Sequence, residues 1–376
     1  MAGIYIHVPF CKTRCIYCDF YTRTDISPKQ EYISALCKEI ALRKNYLSGE
    51  KIKTIYFGGG TPSQLSEKDF SVIFKSIYDN FEVVPDAEIT MEANPDDLTP
   101  HYVEMLIRHP FNRLSIGIQS FDDKELAFLK RRHSSEKAKE AVTLCKSKEF
   151  NNISIDLMYG LPGQTMEIWQ KNLNEAIGLD IQHISSYHLI YEQGTWLYRL
   201  FKLGEVNAVD EDVSVEMFSI MIDKLASAGF EHYEISNFAR NGLYSNHNSS
   251  YWLGEKYLGL GPAAHSFNGE NRSWNIASIS RYIKGINTGY PDIETEYIDE
   301  DTSYNDFILT GMRTMWGVDL NKLERRFGEQ MKTYCLKNVR KYIDTDYVTI
   351  VDNVMKLTRK GIFISDGIMS DLMRIK

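Results

Sequence analysis

The sequence lacks any long apolar run. No segment approaches the roughly 18–20 consecutive apolar residues that a membrane-spanning helix requires, so no transmembrane segment is expected. Residues Met1–Val8 carry no basic residue and no cleavage motif of the kind that ends a secretory signal. Internal repeats and low-complexity tracts are also absent, which excludes repeat solenoids and proteins that consist largely of a disordered tail. Together these absences predict a cytoplasmic globular protein.

The sequence also lacks an excess of positive charge. The 376 residues include 43 Lys and Arg against 51 Asp and Glu, a net charge of −8. Nucleic-acid binding needs clustered positive charge, so we expect no nucleic-acid partner. With 43% hydrophobic and 25% charged residues, the composition is that of a soluble protein with a full core. The length allows one large domain and a smaller one.

The first half of the chain alternates short apolar strands with helical segments. The predicted strands are Ile4–Val8, Lys53–Phe57, Ala87–Met91, Arg113–Ile118, Ile153–Met158 and His183–Tyr187. The predicted helices are Lys29–Tyr46, one capped by Ser66 with Asp69 three residues on, Pro100–Arg108, Asp122–Ser147 with a break near Arg132, and Met166–Gly178. This alternation predicts an α/β fold with a parallel sheet, either open or curled into a barrel. Periodicity favours neither form.

The second half has a different pattern. Val213–Ala228 reads as a helix, and a stretch rich in Gly and Asn follows from 237 to 275. Beyond 301 the pattern is helical, with two short strands around Tyr347–Leu357, which suggests a small, mainly helical, winged-helix-like module. We therefore divide the chain into a core of residues 1–235, a connecting segment of 236–300 and a C-terminal module of 301–376.

Cysteine is sparse except in one loop. Cys11, Cys15 and Cys18 follow the first strand with CxxxCxxC spacing, while the other three stand alone. A structural zinc site usually takes four ligands, and a disulfide would leave one of the three cysteines over. An iron–sulfur cubane also usually takes four thiolates, so three would leave one iron open to a small molecule.

The segment from Tyr5 to Cys18, YIHVPFCKTRCIYC, resembles the cluster loop of the radical S-adenosylmethionine (SAM) superfamily. Within it, the segment is most similar to the branch of oxygen-independent coproporphyrinogen III oxidases and HemW-type heme chaperones. The resemblance implies a 4Fe–4S cluster on the three cysteines, with SAM on the open iron. There an electron from the cluster would split the sulfonium bond to give a deoxyadenosyl radical. It also implies a partial (β/α)6 barrel.

Polar residues recur at the ends of the predicted strands. Glu92, Gln119 and Asp156 interrupt apolar runs, where an unpartnered buried polar group costs about 1–3 kcal/mol. One such residue could be structural, but three at equivalent strand ends indicate a shared polar ligand. Arg131 is the candidate for a ligand carboxylate, with Arg132 as competitor and a solvated basic turn as the plain alternative.

The resemblance extends these positions to a full SAM site. The residues that it implies are Tyr5, Tyr17, Gly59, Gly60, Thr61, Glu92, Gln119, Arg131 and Asp156. The triple glycine that contains Gly59 and Gly60 could equally be a tight turn. It is not a phosphate-binding loop, because no Gly-Lys-Ser/Thr follows it.

Three features favour a heme chaperone over an oxidase. Only ten residues precede Cys11, whereas the oxidases carry an N-terminal extension; Asp19-Phe20-Tyr21 has the HemW-type form; and His247–Trp252 (HNSSYW) matches an HNxxYW motif associated with heme. Histidine is a common axial ligand of heme iron, so His247 is the expected ligand, with Tyr251 and Trp252 flanking the macrocycle.

Several alternatives stay open at this stage. His265 is a rival iron ligand, and the motif could simply pack between domains. The resulting hypothesis is a heme chaperone that passes heme to acceptor proteins, possibly as a homodimer. The alternatives are an oxygen-independent coproporphyrinogen III oxidase and, more weakly, a structural zinc protein.

Overall fold

The computed structural model describes residues 1–375. Its centre is a run of six parallel strands that pair in chain order, joined by helices. The strands are β1 (Ala2–Val8), β2 (Ile52–Gly59), β3 (Val83–Ala93), β4 (Arg113–Gln119), β5 (Ile153–Tyr159) and β6 (His183–His188). The helices are α1 (Lys29–Leu42), α2 (Glu67–Asn80), α3 (Pro100–Ile107), α4 (Asp123–Phe128), α5 (Ser135–Ser147) and α6 (Met166–Gly178). All six predicted strands are confirmed; β3 is more than twice its predicted length, and the other five are one to three residues longer than predicted.

The helix boundaries follow local chemistry. Ser66 caps α2 in a reciprocal capping box with Asp69, as predicted. The expected break near Arg132 separates α4 from α5. The first helix is shorter than predicted, because the chain turns after Leu42 and reaches Ser48 and Gly49 with positive φ angles of 52° and 77°.

Alternation along the strands separates two faces of the sheet. Ile4, Ile6 and Val8 are fully buried in the main hydrophobic core. Tyr5 and His7 point the other way, as the two-residue period of a strand requires. The polar residues of the following strands share this second face, and those near the carboxyl ends line one pocket. The face of the sheet that carries Ile4, Ile6 and Val8 is therefore apolar, and the face that carries Tyr5 and His7 is polar.

The segment predicted as a connector is part of the sheet. After α7 (Trp196–Lys202) and α8 (Glu211–Ser227), β7 (Glu231–Glu234) and β8 (Asn237–Ala239) extend the edge next to β6. Then α9 (Asn246–Trp252) leads to β9 (Tyr257–Leu260), which pairs in parallel with β1 at the opposite side. The antiparallel strands β10 (His265–Phe267), β11 (Asn271–Asn275) and β12 (Ile293–Tyr297), with α10 (Ile279–Thr288), complete twelve strands. Strands β8–β12 of the segment 236–300 are thus hydrogen-bonded into the same sheet as the six parallel strands.

The C-terminal module has its own core. It consists of α11 (Glu300–Met312), β13 (Val318–Asp319), α12 (Leu320–Ile343), β14 (Val348–Val351), β15 (Val354–Leu357), α13 (Arg359–Ile362) and α14 (Ser365–Leu372). Its three strands form a separate small sheet, and Tyr304, Ile308 and Leu323 lie in a cluster distinct from the main core. The predicted helices and hairpin are present. Over residues 1–375, no helix is both long and apolar enough to span a membrane.

Candidate functional site

The three-cysteine loop lies at the carboxyl end of the parallel strands. Cys11, Cys15 and Cys18 are free thiols that line one pocket of about 390 Å³. The loop is closed at its base, because Cys11 N–H donates to the Arg23 carbonyl at 2.9 Å and Arg23 N–H donates to the Pro9 carbonyl at 2.7 Å. The loop is thus anchored at both ends and presents its thiols inward.

Two of the three thiols lie in surroundings that favour their protonated form. Burial raises the pKa of the Cys11 thiol, and burial raises the pKa of Cys18 to about 11. Both are therefore protonated at neutral pH until a metal displaces the proton. Within the described chain, no three His, Cys, Asp or Glu side chains lie close enough together to hold one metal ion. Three soft ligands around a pocket, with no fourth, fit a multi-iron cluster that keeps one open position.

The triple glycine packs tightly against the first strand. Gly59 has φ = 99°, and a Cβ there would lie 2.4 Å from His7 Nδ1. A Cβ on Gly60 would lie 2.6 Å from the Val8 carbonyl oxygen. Both glycines and Thr61 line the cysteine pocket, and Thr61 Oγ1 donates to Cys11 Sγ at 3.3 Å. The glycines are therefore required by packing, and they also leave the backbone accessible to a ligand.

Two carboxyl groups face the same pocket. Glu92 accepts hydrogen bonds from Tyr56 OH at 2.8 Å and from Gly59 N–H at 3.2 Å. Burial, followed by the negative charge of Asp156, raises the pKa of Glu92 to about 7. Burial raises the pKa of Asp156 to about 6. The pocket therefore holds two carboxyl groups whose ionisation changes near neutral pH. Carboxyl groups with such shifted pKa values are common at binding and catalytic sites.

Arg131 and Arg132 have different surroundings. Arg131 is half-buried; it donates to the Gly117 carbonyl at 2.5 Å, to Asn94 Oδ1 and to Cys15 Sγ at 3.4 Å, and its Nε has no partner. Arg132 forms ion pairs with Asp96 and Asp97. Arg131 therefore remains the group that can meet a ligand carboxylate, because the charge of Arg132 is already compensated.

Gln119 occupies a strained position at the end of β4. Its φ is 72°, in the left-handed region that non-glycine residues rarely adopt, and the pairing of β4 with β5 shifts register there. Its buried side chain lines the cysteine pocket. Such strain is often found at ligand sites.

The structure brings most of the predicted SAM residues together. Those that line the cysteine pocket are Tyr17, Gly59, Gly60, Thr61, Glu92, Gln119, Arg131 and Asp156. Tyr5 is the exception: its ring is stacked near Tyr56 at 6.2 Å and lines a neighbouring cleft instead. Tyr5 faces the barrel interior, but below the strand ends that form the pocket.

Sequence reasoning missed Asn94. Its Oδ1 accepts from Arg131 and its Nδ2 donates to Thr61 Oγ1 at 3.3 Å, so it links two predicted ligand residues. It also lines the pocket. Asn94 lies two residues beyond Glu92 and next to Pro95, so the same strand-end argument could have found it.

A second, larger cleft lies between the barrel and the C-terminal module. It encloses about 1230 Å³, and Phe20 lines both cavities. The aromatic residues in its wall are Tyr5, Phe20, Tyr21, Tyr251, Trp252, Tyr257, Phe267, Phe307 and Trp316. Its basic residues are Arg272, Lys322, Arg325 and Arg326. The cleft therefore combines flat apolar surfaces with positive charge.

The HNxxYW segment forms the short helix α9. His247 is 1% exposed, and its ring stacks on Tyr56 at 5.1 Å and 24°. Its Nδ1 is hydrogen-bonded to Thr54 Oγ1 and its Nε2 to Tyr251 OH, both at 2.8 Å. Burial lowers the pKa of His247 to about 3, so the ring is neutral.

His247 is enclosed in this placement. Both ring nitrogens are engaged, and the ring does not line the cleft. In this conformation it is not available to a heme iron. Tyr251 and Trp252 do line the cleft, as expected, and so does the rival His265, which is exposed.

Comparison with known proteins identifies the family. The model of the Radical SAM superfamily matches residues 5–176, and that of the HemN C-terminal domain matches 298–364. The chain is 33% identical over 364 residues to "Heme chaperone HemW" of Bacillus subtilis, covering 96% of each chain. It is 32% identical to the protein of that name from Mycobacterium tuberculosis, covering 99% of this chain and 94% of the relative. The chain belongs to the HemW family of the radical SAM superfamily.

A solved structure agrees with the fold of this HemW-family chain. Coproporphyrinogen III oxidase (HemN) from Escherichia coli, described as a radical SAM enzyme, superimposes with a TM-score of 0.87 over 99% of this chain and 90% of that one. The identity is 21%, so the likeness establishes the fold. It confirms the radical SAM barrel with a helical C-terminal region, which periodicity alone had left open.

Proposed function

We propose that this HemW-family protein is a heme chaperone: it binds heme in the aromatic cleft and passes it to acceptor proteins. The observation that carries the proposal is the cleft itself, which adjoins the three-cysteine pocket through Phe20. Flat aromatic walls suit a macrocycle, and basic residues suit its propionates. The names of the full-length relatives support the same assignment.

In this proposal Cys11, Cys15 and Cys18 hold a 4Fe–4S cluster with SAM on the open iron. When bound, the cluster and SAM together supply reductive cleavage of the sulfonium to a carbon radical. The protein binds and orients the ligand. Arg131, whose Nε has no hydrogen-bond partner, would bind the carboxylate of SAM. Glu92 and Asp156 would accept hydrogen bonds from the amino and hydroxyl groups of SAM.

Within the same proposal the HNxxYW helix shapes the heme site. Tyr251 and Trp252 form part of the cleft wall, and the hydrogen bond between His247 Nε2 and Tyr251 OH holds the Tyr251 ring in place. Coordination of iron by His247 would require its ring to leave both hydrogen bonds and its stack with Tyr56. We therefore assign His247 a supporting role.

A second candidate is oxidative decarboxylation of a porphyrinogen. The observation that favours it is Phe20, which borders both cavities, so a tetrapyrrole in the cleft would lie beside the pocket where a radical forms. In that case the cleft would hold a substrate rather than a cargo.

One anaerobic preparation tests these functions. The protein is reconstituted with iron and sulfide, assayed for iron, sulfide and zinc, and incubated with SAM and reductant plus either hemin or coproporphyrinogen. We expect an iron–sulfur spectrum, a Soret band with hemin, and heme transfer to an apo-acceptor. Formation of vinyl products from coproporphyrinogen would instead make it an oxidase. Zinc without iron–sulfur absorption would contradict the cluster.

Matched cysteine variants sharpen the result. Cys15→Ala should abolish cluster assembly, whereas Cys37→Ala, a half-buried thiol of α1, should leave it intact. Loss in both variants would point to general misfolding rather than to ligation. Sedimentation of the loaded protein checks whether it is a homodimer.

A further inference from the structure

Three histidines lie at or near the cleft, and they differ in accessibility. His7 is 4% exposed, with Nδ1 hydrogen-bonded to Tyr5 OH at 3.2 Å and Nε2 to the Tyr21 carbonyl at 2.9 Å. His247 is equally enclosed, as described above. His265 is exposed on β10 and lines the cleft. An imidazole can bind iron only through a ring nitrogen that is free and reachable.

The ring of His265 is oriented by stacking, and its nitrogens remain available to a ligand. It stacks on Trp274, its partner across the β10–β11 pair, with centroids 5.5 Å apart and planes at 23°. Within the described residues, no hydrogen bond engages its ring nitrogens.

The part of the cleft wall that α12 forms carries cations at helical spacing. Lys322, Arg325 and Arg326 are exposed near the start of α12 and line the cleft. Residues three and four apart share one face of a helix, so these groups form a single cationic face. Arg326 also lies 6.0 Å over the ring of Phe307, which joins positive charge to an aromatic wall.

Three of the four acidic side chains that line the cleft already have hydrogen-bond or ion-pair partners. Asp306 pairs with Arg272 at 2.6 Å. Glu255 pairs with Lys53. Asp319 caps α12 by accepting backbone N–H groups at its start. Asp306 lies near Arg326, and Asp319 lies near Lys322 and Arg325, but within the described residues none of these three cations forms an ion pair.

We propose that His265 is the axial ligand of the heme iron in this cleft and that the propionates are directed to the Lys322–Arg326 face of α12. The inference rests on the proposed heme-chaperone function and adds the site at which heme binds. Iron, macrocycle and propionates are thereby matched by an imidazole, by aromatic walls and by guanidinium or ammonium groups. The HNxxYW helix then acts as the floor of the site.

Hemin titration of the full-length protein tests the iron ligand. His265→Ala should shift the Soret band, lower hemin affinity by about tenfold or more and regain the wild-type spectrum when free imidazole is added. His101→Ala, an exposed histidine on α3, is the matched control and should bind like wild type. His247→Gln tests the alternative while keeping a hydrogen-bonding side chain.

The outcomes separate this inference from the function. If wild type binds hemin and His265→Ala keeps its Soret band and affinity, the ligand assignment is overturned while the chaperone function stands. A spectral change in His247→Gln alone would overturn it in favour of that residue. If wild type binds no hemin, both the inference and the proposed function fail.

The propionate arm has its own readout. Arg325→Ala together with Arg326→Ala should weaken hemin binding by about tenfold but leave the Soret position unchanged, because the iron ligand is intact. Hemin dimethyl ester, which lacks the carboxylates, should bind wild type and the double variant equally. An equal loss of hemin and ester binding would contradict the charge pairing.

Discussion

Asn94 links two residues of the cysteine pocket. It joins Arg131 to Thr61, and each of these contacts a cysteine of the loop. We expect Asn94→Ala to weaken SAM binding by about tenfold or more, because a hydrogen bond to a charged group is worth about 1.5–3 kcal/mol and both partners would lose their orientation. Isothermal titration of the reconstituted protein measures the effect.

Two controls define what Asn94 contributes. Asn94→Asp keeps an acceptor for Arg131 but loses the donor to Thr61, so its loss should be smaller than that of Asn94→Ala. Asn151→Ala, at an exposed position outside the pocket, should change nothing. Unchanged SAM affinity in Asn94→Ala would show that Arg131 and Thr61 are held well enough without it.

Glu92 makes SAM binding depend on pH. Its pKa of about 7 is high because burial and the charge of Asp156 favour the neutral form, so the carboxylate forms only as pH rises through that value. Ionised Glu92 attracts the cationic ligand, so affinity should be higher at about pH 8 than at about pH 6. Glu92→Gln should bind weakly at both pH values and lose most of this dependence. A flat wild-type profile would contradict the assignment.

Residue-level prediction from sequence succeeded where strand alternation controls side-chain direction. Glu92 and Asp156 were identified as polar residues within apolar strands, and both face the pocket. The burial of His247 could not be predicted in this way, because it depends on which face of the sheet α9 covers. Nothing in the local sequence HNSSYW encodes the contact with Thr54, which is 193 positions away.

At the scale of elements, α9 is held by a strand far from it in sequence. The carboxylate of Glu88 in β3 accepts N–H groups of both Asn246 and His247 at 3.0 Å, satisfying the start of the helix. Glu88→Ala would leave these buried donors unpaired, so we expect a loss of about 1–3 kcal/mol in the free energy of unfolding. Denaturant unfolding measures it.

The same variant should also affect the cleft. Because α9 carries Tyr251 and Trp252, a frayed helix should weaken hemin binding as well. Glu82→Ala removes an exposed partner of Lys51 and serves as the matched control, with little change expected in either measurement. A stable Glu88→Ala protein with normal hemin affinity would show that packing alone fixes α9.

Element prediction was reliable for the repeating units and weak beyond them. The six βα units carry long periodic patterns, so their strands and helices could be located from sequence. The strands from β8 to β12 are three to five residues long and rich in Gly and Asn nearby. Their place in the sheet comes from pairing with β6 and β1, and such long-range pairing leaves little trace in a local pattern.

At the scale of the molecule, the barrel and the C-terminal module meet at a main-chain junction. Ile235 N–H donates to the Arg313 carbonyl at 3.2 Å, and Met315 N–H donates to the Tyr233 carbonyl at 2.9 Å. The Arg313 guanidinium pairs with Glu234 at 2.8 Å and lies 5.0 Å over the ring of Trp252. This one residue thus connects the module, the edge of the sheet and the wall of the cleft.

We expect Arg313→Ala to loosen this junction. Glu234 is only 1% exposed, so removing its cation leaves a buried carboxylate. The loss should be roughly 2 kcal/mol, below the range for fully buried pairs, because Glu234 keeps hydrogen bonds from Ser236 and Asn237. Hydrogen exchange should rise in the module and around Trp252, and hemin affinity should fall because the two walls of the cleft no longer hold their spacing.

The control for the junction is a second cross-domain pair. Arg359 in the module pairs with Asp223 of α8, and both side chains are substantially exposed. Arg359→Ala should therefore change stability and hemin affinity far less, since water and salt screen exposed charges. Equal effects of the two substitutions would mean that general surface charge, rather than the buried contact of Arg313, holds the module. If Arg313→Ala raised exchange without lowering hemin affinity, heme would have to rest on the barrel wall alone.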